Sequence, residues 1–338
     1  MPEVTKAPPS PDAAETEAER PKPKTAKPRP PSTGQAKPSV PDLEAAIQGV
    51  CHHVIALRKR PLLVLYYPWR YGSMEEADVE ESYLALRNGG LMPETPLEAC
   101  DVLLHTTGGS PVAGYRLAQC IRDFAKDVRF LVPKHAYSAG TLLCFSGNEI
   151  RLGHCAGLSP IDITTIETRQ SGPDEVQLAS IDAYLVFSDD CQHHIQSVLS
   201  RLGVSDVSPV GSELLCRLVD QVTALKVGEY YRARTLAGHY AQELLDSYML
   251  KGKPNCSGRR SRIIEQLLFG KPVHEFHMDY HMSRGVGLEV TEMDTAESDT
   301  TKAVVDFLRD LVRQGSICQP LTDHLCQPYI AFFPMVKP

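Results

Sequence analysis

The sequence lacks the features that mark membrane, secreted and nucleic-acid-binding proteins. Among its 338 residues, no apolar run reaches the roughly 18 residues that a membrane-spanning helix needs. The first twenty residues contain no apolar stretch of the kind found in secretory signals. Lys and Arg number 35 against 42 Asp and Glu, and a net charge of −7 argues against a nucleic acid as the partner.

The cysteines also form no recognisable pattern. The sequence has ten of them, without a CxxC pair or a regular framework, and no histidine spacing matches a standard zinc signature. In a chain without an export signal, such cysteines are expected to be reduced thiols, often in the core. Hydrophobic residues at 42% and charged residues at 23% are ordinary for a globular protein. We therefore expect a soluble cytoplasmic protein.

Residues 1–41 differ in composition from the rest of the chain. They hold 11 of the 26 prolines and no aromatic residue. Such a segment cannot bury enough apolar surface to offset the entropy lost on ordering it. We predict a disordered tail rich in Pro and Lys over 1–41, a folded domain over 42–295, and a C-terminal helix and tail over 296–338.

Strand and helix patterns alternate from Asp42 onward. Asp42 is a candidate N-cap for a helix over 43–59. Buried-strand patterns lie at 61–68, 101–106, 128–133 and 149–153, and helical patterns at 75–90, 110–126 and from about 138. This alternation is typical of βαβ units, so it predicts the α/β class with a parallel sheet.

The pattern after residue 153 is less regular. It predicts mostly helix over 174–250, a strand and a turn within 271–290, and a last helix from Thr300 to about Gln314. The basic stretch 259–262 is predicted to be a short loop, solvated or at a subunit contact.

Two turns between strands and helices carry candidate catalytic groups. After strand 101–106, Gly108 and Gly109 let the backbone approach a ligand closely and offer N–H groups to a developing negative charge. After strand 128–133, Ser138 lies between small residues at the start of a helix, with the N–H of Ala139 beside it. Neither turn is specific alone, because glycine pairs also make tight turns and serine is a common N-cap.

The two turns together are more informative. Successive turns of one parallel sheet lie side by side, and ligands bind at that edge of an α/β sheet. Gly109 and Ser138 are therefore expected to face one cleft. A hydrogen-bond donor and a nucleophile from different loops are what acyl transfer requires.

The residues around these turns resemble a known family. The strings are TTGGSPVAGYRLAQCIR at 106–122, SAGTLLCFSGNEIRLG at 138–153 and LSPID at 158–162. In this order they resemble the Clp/crotonase-fold serine peptidases. Within these they are most similar to the serine dehydrogenase proteinase group, which is related to signal peptide peptidase A. The resemblance covers about 61–162, with a fainter similarity at 271–290.

The resemblance implies both a fold and an activity. The fold is a Clp/crotonase-like β/α superhelix with a helical C-terminal extension, assembled as a homo-oligomer. The activity is that of a serine peptidase on peptide or protein substrates, through an acyl-enzyme and with no cofactor or metal. Ser138 is the nucleophile, and the oxyanion hole comes from Gly108, Gly109 and Ala139.

The sequence departs from the family at the general base. Relatives carry a lysine just after an Ala-Ser-Ile segment, whereas Asp-Ala-Tyr follows 179–181 here. Lys226 is the first candidate, because its apolar neighbours Leu225 and Val227 would lower the pKa of its ammonium group. The structural alternative for Lys226 is a side chain that extends to solvent at a helix edge. His154 is the second candidate base.

Two other functions fit the same pattern. A catalytically silent member of the fold would act as an assembly or interaction protein, and the missing lysine favours it. Acyl-CoA chemistry of the crotonase type uses the same oxyanion hole and needs no serine nucleophile. The TTGG and SAGT strings favour the peptidase.

Overall fold

The structure is a computed structural model that describes residues 40–68, 72–161, 224–271, 273–274, 276–318, 320–322 and 325–335. Its strands are β1 (Leu62–Tyr66), β2 (Leu97–His105), β3 (Ala125–Val132), β4 (His135–Ala136), β5 (Glu149–Leu152), β6 (Gly157–Leu158), β7 (Val290–Glu292), β8 (Pro320–Thr322), β9 (Leu325–Cys326) and β10 (Tyr329–Phe333). The central sheet has the order β10-β1-β2-β3-β5-β7, and every strand in it is parallel except β10, which is antiparallel to β1. Separately, β4 pairs in parallel with β6.

Helices cover both faces of the sheet. They are α1 (Val40–Arg58), α2 (Ala77–Asn88), α3 (Pro111–Phe124), α4 (Ala139–Cys144), α5 (Ala224–Leu244), α6 (Cys256–Leu268), α7 (Tyr280–Val286) and α8 (Thr295–Arg313). Leu63 and Leu65 of β1 share a core with α2 to α6, while Leu62 and Val64 share one with α1 and α8. A strand buried on both faces has no polar alternation, which is why 61–68 is uniformly apolar.

The α/β class and the parallel sheet predicted from the alternation are confirmed. Each of the four predicted strand patterns overlaps a strand of the central sheet, although β2 begins four residues earlier, at Leu97, and β3 three residues earlier, at Ala125. The predicted N-cap at Asp42 is wrong, because α1 begins at Val40 and Asp42 lies within its first turn. The predicted tail up to residue 39, and the predicted helix before residue 224, lie outside the described residues.

The C-terminal part differs more from its prediction. Helix α8 begins at Thr295, before the predicted start at Thr300, because the Asp294 carboxylate accepts a hydrogen bond from the N–H of Glu297 at 2.9 Å. Strand β10 lies in the segment predicted as a tail, yet it forms the edge of the central sheet beside β1. Within 271–290, the short helix α7 precedes the predicted turn, and the strand begins only at Val290.

The prediction of a loop at the basic stretch 259–262 is wrong. It lies in helix α6. Arg259 forms an ion pair with Glu289 at 2.7 Å, and Arg260 forms one with Asp246 at 2.5 Å. These residues anchor α6 to neighbouring segments.

Two further properties concern the described part of the chain. No helix there is both long and apolar enough to span a bilayer. Four of the cysteines described lie in the core, as the composition suggested: Cys51, Cys100, Cys120 and Cys144.

One buried carboxyl group lies close to the edge of the sheet where the strands end. Asp78, in the first turn of α2, is only 4% exposed. Its Oδ2 accepts hydrogen bonds from the hydroxyl of Tyr67 at 3.0 Å and from the N–H of Glu75 at 2.8 Å. Burial raises the pKa of Asp78 from 3.8 to about 6, because desolvation outweighs these two hydrogen bonds.

This raised pKa predicts a pH-dependent contribution to stability. The unfolded chain ionises Asp78 near its ordinary pKa, whereas the folded chain keeps the proton up to about pH 6. The contribution of Asp78 is therefore fully present below about pH 4 and is lost as the pH rises through about 6. We expect Asp78→Asn, whose amide oxygen can accept both hydrogen bonds, to be more stable than wild type above pH 7 by about 2–3 kcal/mol. Urea unfolding at pH 4 and pH 8 measures this, and an equal difference at both pH values would contradict it.

Candidate active site

Ser138 has an unusual backbone conformation. It lies at the turn from β4 into α4, with φ 51° and ψ −117°, and it is partly exposed. An L-residue in this region costs of order 1–3 kcal/mol and persists only where the surroundings hold it. A sharp turn from a strand into a helix with strained dihedrals is also how nucleophilic serines are presented in α/β-hydrolases. Ser138 has this geometry although the GxSxG motif is absent.

The glycine turn after β2 lies directly against Ser138. Gly108 and Gly109 have φ values of 117° and 146°, which L side chains rarely adopt. A Cβ added to Gly108 would lie 2.7 Å from the Cβ and 3.3 Å from the Oγ of Ser138. A Cβ on Gly109 would collide with the backbone of Met74. The structure therefore brings the two turns together, and it has room only for glycine at both positions.

The backbone N–H groups at the two turns are not equivalent. The N–H of Gly108 donates to Oγ1 of Thr106 at 2.9 Å, and the N–H of Ser138 donates to Oγ of Ser159 at 2.7 Å. Among the described residues, the N–H groups of Gly109 and Ala139 donate no hydrogen bond. Gly108 was predicted to be an oxyanion donor, but its N–H is already engaged. Of the three predicted donors, Gly109 and Ala139 are the two whose N–H groups form no hydrogen bond among the described residues.

The two basic residues that precede Ser138 contact other parts of the protein. Lys134 forms an ion pair with Asp306 of α8. His135 is buried, with its ring centroid 4.1 Å from that of His105 and 4.9 Å from that of Tyr137. Burial lowers the pKa of His135 to about 4, so its imidazole is neutral at pH 7.

The two predicted bases have different positions. The side chain of His154 is 49% exposed, and its Nδ1 lies 3.6 Å from Oε1 of Glu292. The backbone N–H of His154 donates to Oγ of Ser298. These contacts direct it toward β7 and α8 and not toward Ser138. Lys226 lies in the first turn of α5, where the side chains are outside the described residues. Further along, α5 packs against α3 and α4, the two helices that begin at the glycine turn and at Ser138.

Sequence reasoning missed two polar residues beneath the site. Ser159 and Thr141 are both fully buried, and they hydrogen-bond to each other and to the turn at Ser138. Both belong to strings that carried the family resemblance, LSPID and SAGT, although the strings do not show that they meet. Within the described part of the chain, no group of three His, Cys, Asp or Glu side chains could hold a metal ion.

Comparisons with known proteins give partial similarities. No protein family model matches the chain. Two uncharacterized proteins of Methanocaldococcus jannaschii are 32% identical over 62 residues and 29% identical over 85 residues. These matches cover 18% and 25% of this chain, and 22% and 28% of the relatives, so the chain spans about a quarter of the length of the curated relatives it matches.

Solved structures of one protease are also similar to this chain. A serine-to-alanine variant of a membrane-bound stomatin-specific protease is 13% identical, covers 70% of this chain and 83% of its own, and gives a TM-score of 0.38. A lysine-to-alanine variant of the protease, in complex with a substrate peptide, is 14% identical, covers 69% and 77%, and gives a TM-score of 0.37.

Proposed function

We propose that this protein is a serine peptidase that uses Ser138 as its nucleophile. The observation that carries the proposal is the strained backbone of Ser138 at the turn into α4, packed against Gly108. A strained residue in a fold of marginal stability indicates a functional requirement, here the presentation of Oγ at the edge of the sheet. The strings at 106–122 and 138–153 support membership of the Clp/crotonase-fold peptidases, in the serine dehydrogenase proteinase group.

The free N–H groups of Gly109 and Ala139 supply the oxyanion hole in this proposal. When Oγ attacks the carbonyl carbon of a peptide bond, the carbonyl oxygen becomes negatively charged. Two backbone donors held in place by the turns would stabilise this charge without reorganisation. Each such donor is worth about 10²–10³-fold in rate. A glycine at 109 is needed because any side chain there would collide with Met74.

The reaction needs a base that accepts the proton of Ser138 during attack. That proton then passes to the leaving amine, and an ester with Oγ remains. Water hydrolyses the ester, with the same base accepting a proton from water and returning one to Oγ. We propose Lys226 for this role, since α5 packs against the helix that begins after Ser138. A homo-oligomer and the domain boundaries at 41 and 295 stay predictions.

A second candidate function is a catalytically silent member of the same fold that acts in assembly. One observation favours it: among the side chains described, no Lys or His forms a hydrogen bond with Oγ of Ser138. The strained Ser138 and the two free N–H groups favour the enzyme, because a silent protein gains nothing from keeping them.

A fluorophosphonate probe distinguishes the two candidates. The probe reacts with an activated serine and leaves a covalent phosphonyl group on Oγ. We expect the native protein to be labelled at Ser138, as located by mass spectrometry of its peptides, and the urea-unfolded protein not to be labelled. A native protein that remains unlabelled at Ser138 would favour the silent scaffold.

The identity of the base can be tested from the pH dependence of labelling. A lysine base must be neutral to act, and an ordinary lysine titrates near ~10.4, whereas a buried one titrates several units lower. If Lys226 is the base, the labelling rate of wild type should rise between about pH 7 and 9. A histidine base would instead place the rise at about 6.5.

Two variants complete this test of the base. Lys226→Met keeps the apolar stem and removes the amine, and it is expected to lower the labelling rate by about 10²–10⁴-fold. His154→Gln serves as the control, and it should label at the wild-type rate because His154 is directed toward Glu292. Equal rates for Lys226→Met and wild type over the whole pH range would exclude Lys226 as the base.

A further inference from the structure

A short chain of buried hydrogen bonds lies beneath Ser138. The hydroxyl oxygen of Ser159 accepts from the N–H of Ser138 at 2.7 Å, and the hydroxyl donates to the carbonyl of Pro160 at 3.0 Å. The N–H of Ser159 donates to Oγ1 of Thr141 at 3.0 Å, and Thr141 donates to the carbonyl of Ala136 at 2.8 Å. The side chains of Ser159 and Thr141 are fully buried.

This arrangement fixes the direction of all four of these hydrogen bonds. A hydroxyl has one proton, and both hydroxyls give theirs to a backbone carbonyl. The oxygen of each hydroxyl can therefore only accept a hydrogen bond from the backbone N–H that it faces. Because all the groups are paired and away from water, rotating either hydroxyl would leave a buried group unpaired, at a cost of about 1–3 kcal/mol.

The strained backbone conformation of Ser138 is matched to the hydrogen bond that its N–H donates. With φ at 51°, this N–H is directed into the protein toward Ser159, at the end of β6. Without an acceptor there, the residue could relax to a negative φ, which costs no strain. Such a rotation would turn Oγ away from Gly108 and change the direction of the N–H of Ala139.

We infer that Ser159 is a positioning residue, whose hydroxyl holds Ser138 in the conformation that presents Oγ beside Gly108. Its place in catalysis rests on the proposed function, but its effect on the backbone does not. Ser159 is not a catalytic residue, since it is fully buried and its proton is engaged by Pro160. Thr141 supports it from below by accepting from its N–H.

The first test removes the hydroxyl of Ser159. In Ser159→Ala, the labelling rate at Ser138 is expected to fall by about 10–100-fold, because a displacement of about 1 Å at a reacting group costs on the order of 10²-fold. For a peptide substrate, kcat should fall while KM changes little, because the substrate does not touch Ser159. Ser159→Thr, which retains the hydroxyl, should label faster than Ser159→Ala.

Ser146→Ala is the matched control for this test. Ser146 is also a fully buried serine just beyond α4, and its hydroxyl donates to the carbonyl of Leu143 at 2.8 Å. Both variants lose one buried hydroxyl, so both should lose some stability. Only Ser159→Ala should lose labelling at a temperature where both are folded. Equal labelling of the two variants would overturn the inference.

A second test needs no activity. Glycine normally destabilises a fold relative to alanine, but at a strained positive φ it relieves the strain. In the wild-type background, Ser138→Gly should be more stable than Ser138→Ala, by about threefold to tenfold in the unfolding equilibrium constant. With Ser159→Ala added, the order should reverse, because the relaxed backbone no longer favours glycine. The four variants are compared by urea unfolding.

The two tests separate failure of the inference from failure of the proposed function. If glycine stays more stable than alanine by the same ratio after Ser159→Ala, Ser159 does not hold the backbone and the inference is overturned. If the order reverses but wild type is never labelled at Ser138, the inference about the backbone stands and the peptidase proposal fails.

Discussion

Ser138→Ala is expected to abolish peptide hydrolysis, with a loss in rate of about 10³-fold or more, while the fold remains intact. The loss is large because no other group can form the acyl-enzyme. The effect on stability should be small, within about 0.5 kcal/mol, because alanine keeps the Cβ and no described residue forms a hydrogen bond with Oγ of Ser138. A loss of activity without unfolding is specific to a nucleophile.

The measurement combines cleavage of a casein-type substrate with thermal unfolding. Ser146→Ala again gives the control, since it removes a serine hydroxyl near α4 that lies away from the turn. Undiminished casein cleavage by Ser138→Ala, at equal protein concentration, would show that Ser138 is not the nucleophile.

The part of the fold that carries the site could be predicted because its signals are local. The strands β1, β2 and β3 each contain a short apolar run, and β1, β2, β3 and β5 are each followed by a turn with Gly or Ser. Parallel βαβ connections then place successive turns at one edge of the sheet without further information. The contact between Gly108 and Ser138 follows from that rule and not from any long-range signal.

The parts that could not be predicted depend on distant partners. Strand β10 pairs with β1, and Phe333 lies beside Leu62, more than 250 residues earlier in the chain. No local pattern distinguishes such an edge strand from a tail. The basic stretch in α6 has the sequence of a polar loop, since four polar residues follow one another. In the structure, Arg259 and Arg260 form ion pairs with Glu289 and Asp246 from other segments.

The same limit applies within the site. Ser159 reaches the N–H of Ser138 only because β6 pairs with β4, with Gly157 opposite His135 and Leu158 opposite Ala136. Strands of two residues leave almost no pattern in a sequence. The candidate nucleophile was therefore visible from the sequence, whereas the residue that holds its backbone was not.

Gly108→Ala is expected to lower the labelling rate at Ser138 by about 10²-fold or more, although it removes no catalytic group. The new Cβ would lie 2.7 Å from the Cβ of Ser138, closer than real Cβ atoms approach, so one of the two turns must shift. Gly252→Ala is the matched control. Gly252 also has a positive φ, of 72°, but a Cβ there meets nothing within 4 Å. Both variants should lose about 1 kcal/mol or more from backbone strain, and only Gly108→Ala should lose labelling.

The collision at Gly108 also predicts how two substitutions combine. Because the added methyl group meets the Cβ of Ser138, removing that Cβ in Ser138→Gly should relieve the collision. We expect Gly108→Ala to cost less stability in the Ser138→Gly background than in wild type, by about 1–2 kcal/mol, as residues in contact are not additive. Gly252→Ala should cost the same in both backgrounds, since it has no contact with Ser138. Urea unfolding of the six proteins measures this without any need for activity. A cost of Gly108→Ala that is the same in both backgrounds would mean that the two turns do not touch in solution, and the cleft between them would have to be placed elsewhere.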